Sequence, residues 1–324
     1  MLNVRVAVVT ASVAIVSAHA PAAVPDFPNR PLRYIVATGP GGASDLIGRV
    51  IGPALSELLG TQVVIDNRPG AGNTVGAEIA ARASPDGHTL LSCNIASLAV
   101  GPALYRKLSY DPERDFAPIG MIASNPNVLT VNPTVPATTI PEFIALAKSR
   151  PGKLNYASTG VGTSPQLSME LLRMQAGFTI AHVPYKGVGA ALVDLIGGRI
   201  EAMFSTVPAA LGSVRGGKVR ALGVTSSQRD PDLPDVPTFI ESGVPDFEVV
   251  SWQGLCTNNG APQAALERLR STLAAALAQP DTRKRITDQG FRPHVLPADK
   301  FALYARAERV RWTKLVKAIG IVPN

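Results

Sequence analysis

At 324 residues the chain exceeds the ~250 at which a single hydrophobic core stops growing, so two domains are expected. With 46% hydrophobic and 17% charged residues it is a well-packed globular chain, which excludes a disordered one. The net charge of +7 raises nucleic acid or an anionic surface as a partner, but aromatics at 5% leave little to stack bases on. Its basic residues are scattered, and the densest run, Thr282 to Arg285, suits a solvated helix face.

The chain opens with one basic residue, Arg5, then an apolar run from Val6 to Val16, then Ala18 and Ala20 in an A-x-A arrangement. This pattern is that of a secretory signal peptide over residues 1–22, cut near 20–23, and the run is too short to span a bilayer. A periplasmic protein is expected. Export permits a disulfide between Cys93 and Cys256, but both lie in apolar strand-like runs where free buried thiols fit equally well.

Along the chain a unit recurs: a short β-branched run, a glycine or polar turn, then an amphipathic stretch. "RYIVAT" is followed by the loop "GPGGASD", and Leu46, Ile47, Val50, Ile51, Leu55 and Leu58 then recur at helical spacing until Gly60. "TQVVIDN", "RPGAGNTVGAEIAARA" and "TLLSCN" continue the alternation, which implies parallel strands covered by helices. "NVLTVNP" at 127–133 leads to Thr139 and Glu142 at capping-box spacing, and "LNYAS" leads through "TGVGTS" to a helix with Ser164 as N-cap, ending at Gly177. After the Pro-rich, acidic stretch around Asp232 and Asp235, a β-like run from Phe247, "FEVVSWQGLCTN", reads as a strand crossing between lobes, with helices to the end. The expected organisation is domain 1 over 23–126 and 247–324 and domain 2 over 127–246, with a hinge of two crossing segments and a ligand crevice between them.

The glycine loops carry the chemistry. Helix N-termini present unpaired N–H groups and the positive end of the dipole, and Gly41 and Gly42 clear side chains from the approach to one of them. The loop at 157–165 has the same character, with hydroxyls from Ser158, Thr159, Thr163 and Ser164. Either loop could equally be a simple tight turn. "GAGNTVG" places its third glycine one position late for a dinucleotide fingerprint, and no G-K-[ST] follows "GPGGASD". His88, His182 and His294 have no metal-ligand spacing, no G-x-S-x-G elbow occurs, and His182 alternates with apolar residues as a structural histidine would. Neither enzyme machinery, cofactor nor metal is expected. Trp252 reads as packed into the hinge, with stacking on a ligand as the alternative.

"PGGASD", "VVIDNRPGAGNTVGAE", "ASPDGHTLL", "HVPYKG", "LPDVPTFIESG" and "SWQG", in this order, resemble the Bug receptors, the extracytoplasmic solute-binding proteins of tripartite tricarboxylate transporters. The resemblance covers nearly the whole chain after the leader. It implies an α/β, two-lobed type II periplasmic binding protein fold, a monomer that holds a small carboxylate between its lobes and presents it to membrane transport subunits. A ligand-sensing role in signalling, and less readily a hydrolase or isomerase on the same scaffold, are the alternatives. Carried onto this chain, the first loop supplies Thr38, Gly39, Pro40, Gly41, Gly42 and Asp45, and the second Ser158, Thr159, Gly160, Thr163 and Ser164. Two wall segments add Ala96 with Ser97, and Ser205 with Thr206. Leu98 and Gln166 stand where many relatives have histidine, and Ser205 where many have aspartate. The last departure removes a negative charge from the wall, so a plain carboxylate without an amino group is the expected guest.

Overall fold

A computed structural model of the protein describes residues 27–105 and 107–318. The expected signal segment lies outside the described residues. β1 (Leu32–Val36) runs into α1 (Ala43–Leu59), which buries Ile47, Ile51 and Leu55 and stops at Gly60, whose φ of 67° is left-handed. β2 (Val63–Asn67), the short turn Ala71–Asn73, α2 (Thr74–Ala81) and β3 (Thr89–Asn94) follow. A π-helical turn (Ile95–Val100) and α3 (Gly101–Leu104) then lead to the 16-residue β4 (Phe116–Val131).

The next segment repeats strand and helix: α4 (Ile140–Ser149), β5 (Asn155–Ser158), α5 (Ser164–Ala176), β6 (Ala181–Pro184), α6 (Val188–Ile196), β7 (Ala202–Thr206), α7 (Val207–Arg215) and β8 (Arg220–Val224). The capping box of α4 is displaced by one residue: Thr139 accepts from the Glu142 amide, while the Glu142 carboxylate reaches back to Thr138. The N-cap of α5 is Thr163 rather than Ser164. β9 (Val250–Asn258), α8 (Gln263–Ala278), α9 (Pro280–Asp288), β10 (Arg292–Pro297) and α10 (Ala298–Ala318) complete the chain. In α9 the side chains of Arg283, Lys284 and Arg285 are exposed, a solvated face.

The strands lie in the order β2-β1-β3-β9-β4-β7-β5-β6, with β8 and β10 also on β4. β1, β2 and β3 are parallel in one half, and β5, β6 and β7 in the other; β9 and β4 are antiparallel to their neighbours. β4 belongs to both halves. Up to Pro126, opposite Val250, it pairs with β9, and from Asn127, opposite Thr206, it pairs with β7. The return crossing lies beside it, because the Thr225 amide donates to the Asn127 carbonyl, the Val249 amide donates to the Thr225 carbonyl, and the Asn127 amide donates to Thr225 Oγ1 at 2.8 Å. Trp252 is fully buried against Phe301 and Tyr304 on the face of β9 away from the cleft. Cys93 and Cys256 form a disulfide between β3 and β9, with Cα atoms 6.1 Å apart.

Candidate functional site

The carboxyl ends of β1, β3, β5 and β7 open onto a single cavity of about 240 Å³ between the two halves. Five helices begin at its wall, and each starts without a side-chain cap on its first amides: α1 after Gly42, α2 after Asn73, α5 after Thr163, α6 after Gly187 and α7 after Thr206. Their free N–H groups and positive dipole ends therefore face one volume, although the Thr74 amide of α2 donates to the Ala71 carbonyl and Pro165 in α5 and Pro208 in α7 carry no N–H. Lys186 is the one charged side chain among the described residues that line it.

Of the first loop, Thr38, Gly39 and Gly42 line the cavity. Pro40, Gly41 and Asp45 do not. The Asp45 carboxylate is buried and turned into the scaffold, accepting from the Gly41 amide at 2.9 Å, from Arg49 Nε at 3.0 Å and from Asn67 Nδ2 at 3.0 Å. Burial alone would raise its pKa, but these donors outweigh it and hold the group below the usual aspartate range. Asp45 thus fixes the loop and consumes the Gly41 amide.

Of the second loop, Thr159, Gly160, Thr163 and Ser164 line the cavity. Ser158 lies beneath it, fully buried, its hydroxyl 2.7 Å from His182 Nε2 and bonded to the amide and carbonyl of Gly160. His182 stacks on Tyr156, and burial, partly offset by Glu170, holds its pKa below the ordinary histidine value. It therefore serves as a neutral strut under the loop. The third segment contributes Ala96. Ser97 is spent on structure: Asn94 Oδ1 accepts from the Ala96 and Ser97 amides, and Ser97 Oγ accepts from the Asn94 amide at 3.0 Å. Ser205 and Thr206 both line the wall, and two hydroxyls from opposite halves, Thr38 Oγ1 and Ser205 Oγ, are buried without a partner. Leu98 and Gln166 are buried away from the cavity, the latter accepting from the Gly162 amide at 2.6 Å.

The floor was not anticipated from sequence. Ser44 donates to Gln253 Oε1 at 2.7 Å and accepts from Asn94 Nδ2 at 3.1 Å, so α1, β3 and the crossing strand β9 share one buried network. Ser251 and Gln253 both line the cavity, two residues apart on one face of β9. In the sequence, "SWQG" carries that signal, with Trp252 on the opposite face of the strand.

The tripartite tricarboxylate transporter family receptor profile matches residues 47–321. The chain belongs to this family. Protein BugT of Bordetella pertussis is 34% identical over 97% of both chains. Among solved structures, an R. palustris protein with adipate is 34% identical, with a TM-score of 0.89 over 92% of this chain and 100% of that one. MatC of Rhodopseudomonas palustris with bound malate is 33% identical, with a TM-score of 0.84 over 90% of this chain and 100% of that one. Membership makes the protein a two-lobed solute-binding receptor of the Bug type and not an enzyme. Among the described residues no helix is long and apolar enough to cross a membrane.

Proposed function

We propose that this Bug-type receptor closes on a small organic acid whose carboxylate sits among the five helix N-termini. The observation that carries the reading is the cavity's electrostatics: converging uncapped amides, one lysine and no acidic side chain among the described lining residues. Three well-aimed hydrogen bonds to a charged acceptor, at roughly 1.5 to 3 kcal/mol each, reach the ~8 kcal/mol of micromolar affinity without an arginine. Thr38, Gly39, Gly42, Ala96, Thr159, Gly160, Thr163, Ser164, Ser205 and Thr206 are the contacts we assign from the predicted set. Pro40, Gly41, Asp45, Ser97 and Ser158 act behind them. Ile95, Val161 and Ala209 beside the polar groups suit an apolar ligand body, in keeping with the adipate of the R. palustris relative.

The lobes in this reading divide at 126/127 and 246/247, where β4 changes partners and the chain approaches β9. The receptor is exported by its leader, works as a monomer in the periplasm, and delivers its ligand to the membrane subunits of a tripartite tricarboxylate-type transporter. Calorimetric titration of the mature protein with adipate and malate tests this; one-to-one binding is expected, and a neutral diamide of the same length should give no heat. Binding of the diamide as tightly as the acid would refute it.

A further inference from the structure

The turn "NRPGAGN" after β2 has an unusual backbone. Gly70, Ala71, Gly72 and Asn73 all have positive φ, at 139°, 42°, 58° and 73°. Left-handed residues in succession are costly, and a non-glycine one persists only where the surroundings hold it. What this turn meets lies across the cavity mouth. A Cβ on Gly72 would stand 1.9 Å from the Val161 carbonyl oxygen, and one on Gly162 would stand 2.6 Å from Leu104 Cδ1. The loop between β5 and α5 is therefore seated on the turn after β2, main chain against main chain, and on the Leu104 side chain of α3. On the other side of the mouth, a Cβ on Gly39 would lie 3.1 Å from the Lys186 carbonyl oxygen and 3.7 Å from Gly187 Cα.

We infer that these glycine-to-backbone contacts at the cavity wall, Gly72 on Val161 and Gly39 on Lys186 and Gly187, form the closure interface of the receptor and set its ligand affinity through the population of the closed form. The inference rests on the carboxylate reading above only for its choice of probe. A binding protein's apparent Kd is its intrinsic value divided by the fraction of molecules able to adopt the closed form. A methyl group at Gly72 cannot fit under Val161, so it holds the halves apart and removes that fraction.

Gly152 supplies the control, since its φ of 67° resembles that of Gly72 and a Cβ there meets nothing within 4 Å. Gly72→Ala and Gly152→Ala bear a similar backbone penalty, and only the first blocks the mouth. In the mature protein titrated with adipate and malate, G72A should weaken binding at least about tenfold and lose the ligand-induced fall in radius of gyration by small-angle scattering, whereas G152A keeps both. Equal Kd and equal compaction in the two variants would overturn the inference. A second measurement needs no ligand: Gly39→Cys with Gly187→Cys should oxidise to a cross-cleft disulfide and lower the radius of gyration of the free protein. Failure of that pair to cross-link also overturns it. Failure of the unmutated receptor to bind any organic acid counts instead against the ligand reading, and the cross-link then decides the closure interface.

Discussion

Ser205→Asp puts a carboxylate where the cavity wall has a buried, unpartnered hydroxyl, at the end of β7 beside the first turn of α7. If the ligand's carboxylate lies about 4 Å away, two like charges at an effective dielectric constant near 20 repel by roughly 4 kcal/mol. The variant has an escape, because the new side chain can protonate. That costs about 1.4 kcal/mol for each pH unit between the ordinary aspartate pKa of ~3.9 and the assay pH. The escape therefore caps the penalty near ~4 kcal/mol at pH 7 and near ~1.5 kcal/mol at pH 5. The α7 dipole favours the new charge by only ~0.3–1 kcal/mol and trims the total slightly. Adipate affinity should fall roughly a thousandfold at pH 7 and roughly tenfold at pH 5, measured by calorimetry against the unmutated protein at each pH. Ser205→Asn, similar in size and uncharged, should lose far less. An S205D affinity within threefold of the parent at pH 7, or a deficit that does not shrink at pH 5, would refute the placement of an anion at this wall.

Two further variants probe the scaffold behind the cavity. Asp45→Asn leaves the Gly41 amide and Asn67 Nδ2 facing a neutral amide; discounting the half-exposed Arg49, the loss is about 2 to 3 kcal/mol of unfolding free energy by urea titration, and less than 0.5 kcal/mol would contradict the buttress. Because the folded pKa of Asp45 is lowered, its contribution is whole above the unfolded aspartate value and is lost as pH falls through the folded one. His182→Gln tests the strut under the second loop. The folded pKa of His182 is also lowered, so the unfolded chain takes up the proton first; stability from this group is whole above ~6.5 and declines as pH falls from there toward the folded pKa. The parent should therefore lose more stability than H182Q between pH 7.5 and 5.5, and equal losses would show that the ring titrates freely.

The alternation of strands and helices was legible because each helix announces itself by apolar spacing and a stop. α1 is the clearest instance, with Leu46 to Leu58 in register and Gly60 at its end. β4 was legible only from Asn127 onward. Its first half contains Pro118, Gly120 and Pro126, residues that argue against a strand, and the sheet accommodates them with register shifts around Pro118/Gly120 and Met121/Ala123. The two glycine loops stood out as glycines and hydroxyls ahead of a helix, a pattern that fits a tight turn as well as an anion cradle, and the structure puts members of both on one cavity. Which members would face the cavity could not. Asp45, Ser97 and Ser158 are polar residues at the right places in the chain, but each is consumed by a local backbone partner that only the folded turn creates. The floor was hidden for the opposite reason: Ser44 and Gln253 meet across 209 positions, and no local pattern links them.

The proposed function of the receptor depends on an anion being held by amides that face the cavity from opposite halves. The most direct measurement is a calorimetric titration of the mature receptor at pH 7 with adipate, malate, glutamate and adipamide. The predicted result is stoichiometric binding of at least one plain dicarboxylate, no heat from adipamide, and weaker binding of glutamate, whose ammonium finds no acidic partner among the described lining residues. Tight binding of glutamate or adipamide with no response to either dicarboxylate would contradict it.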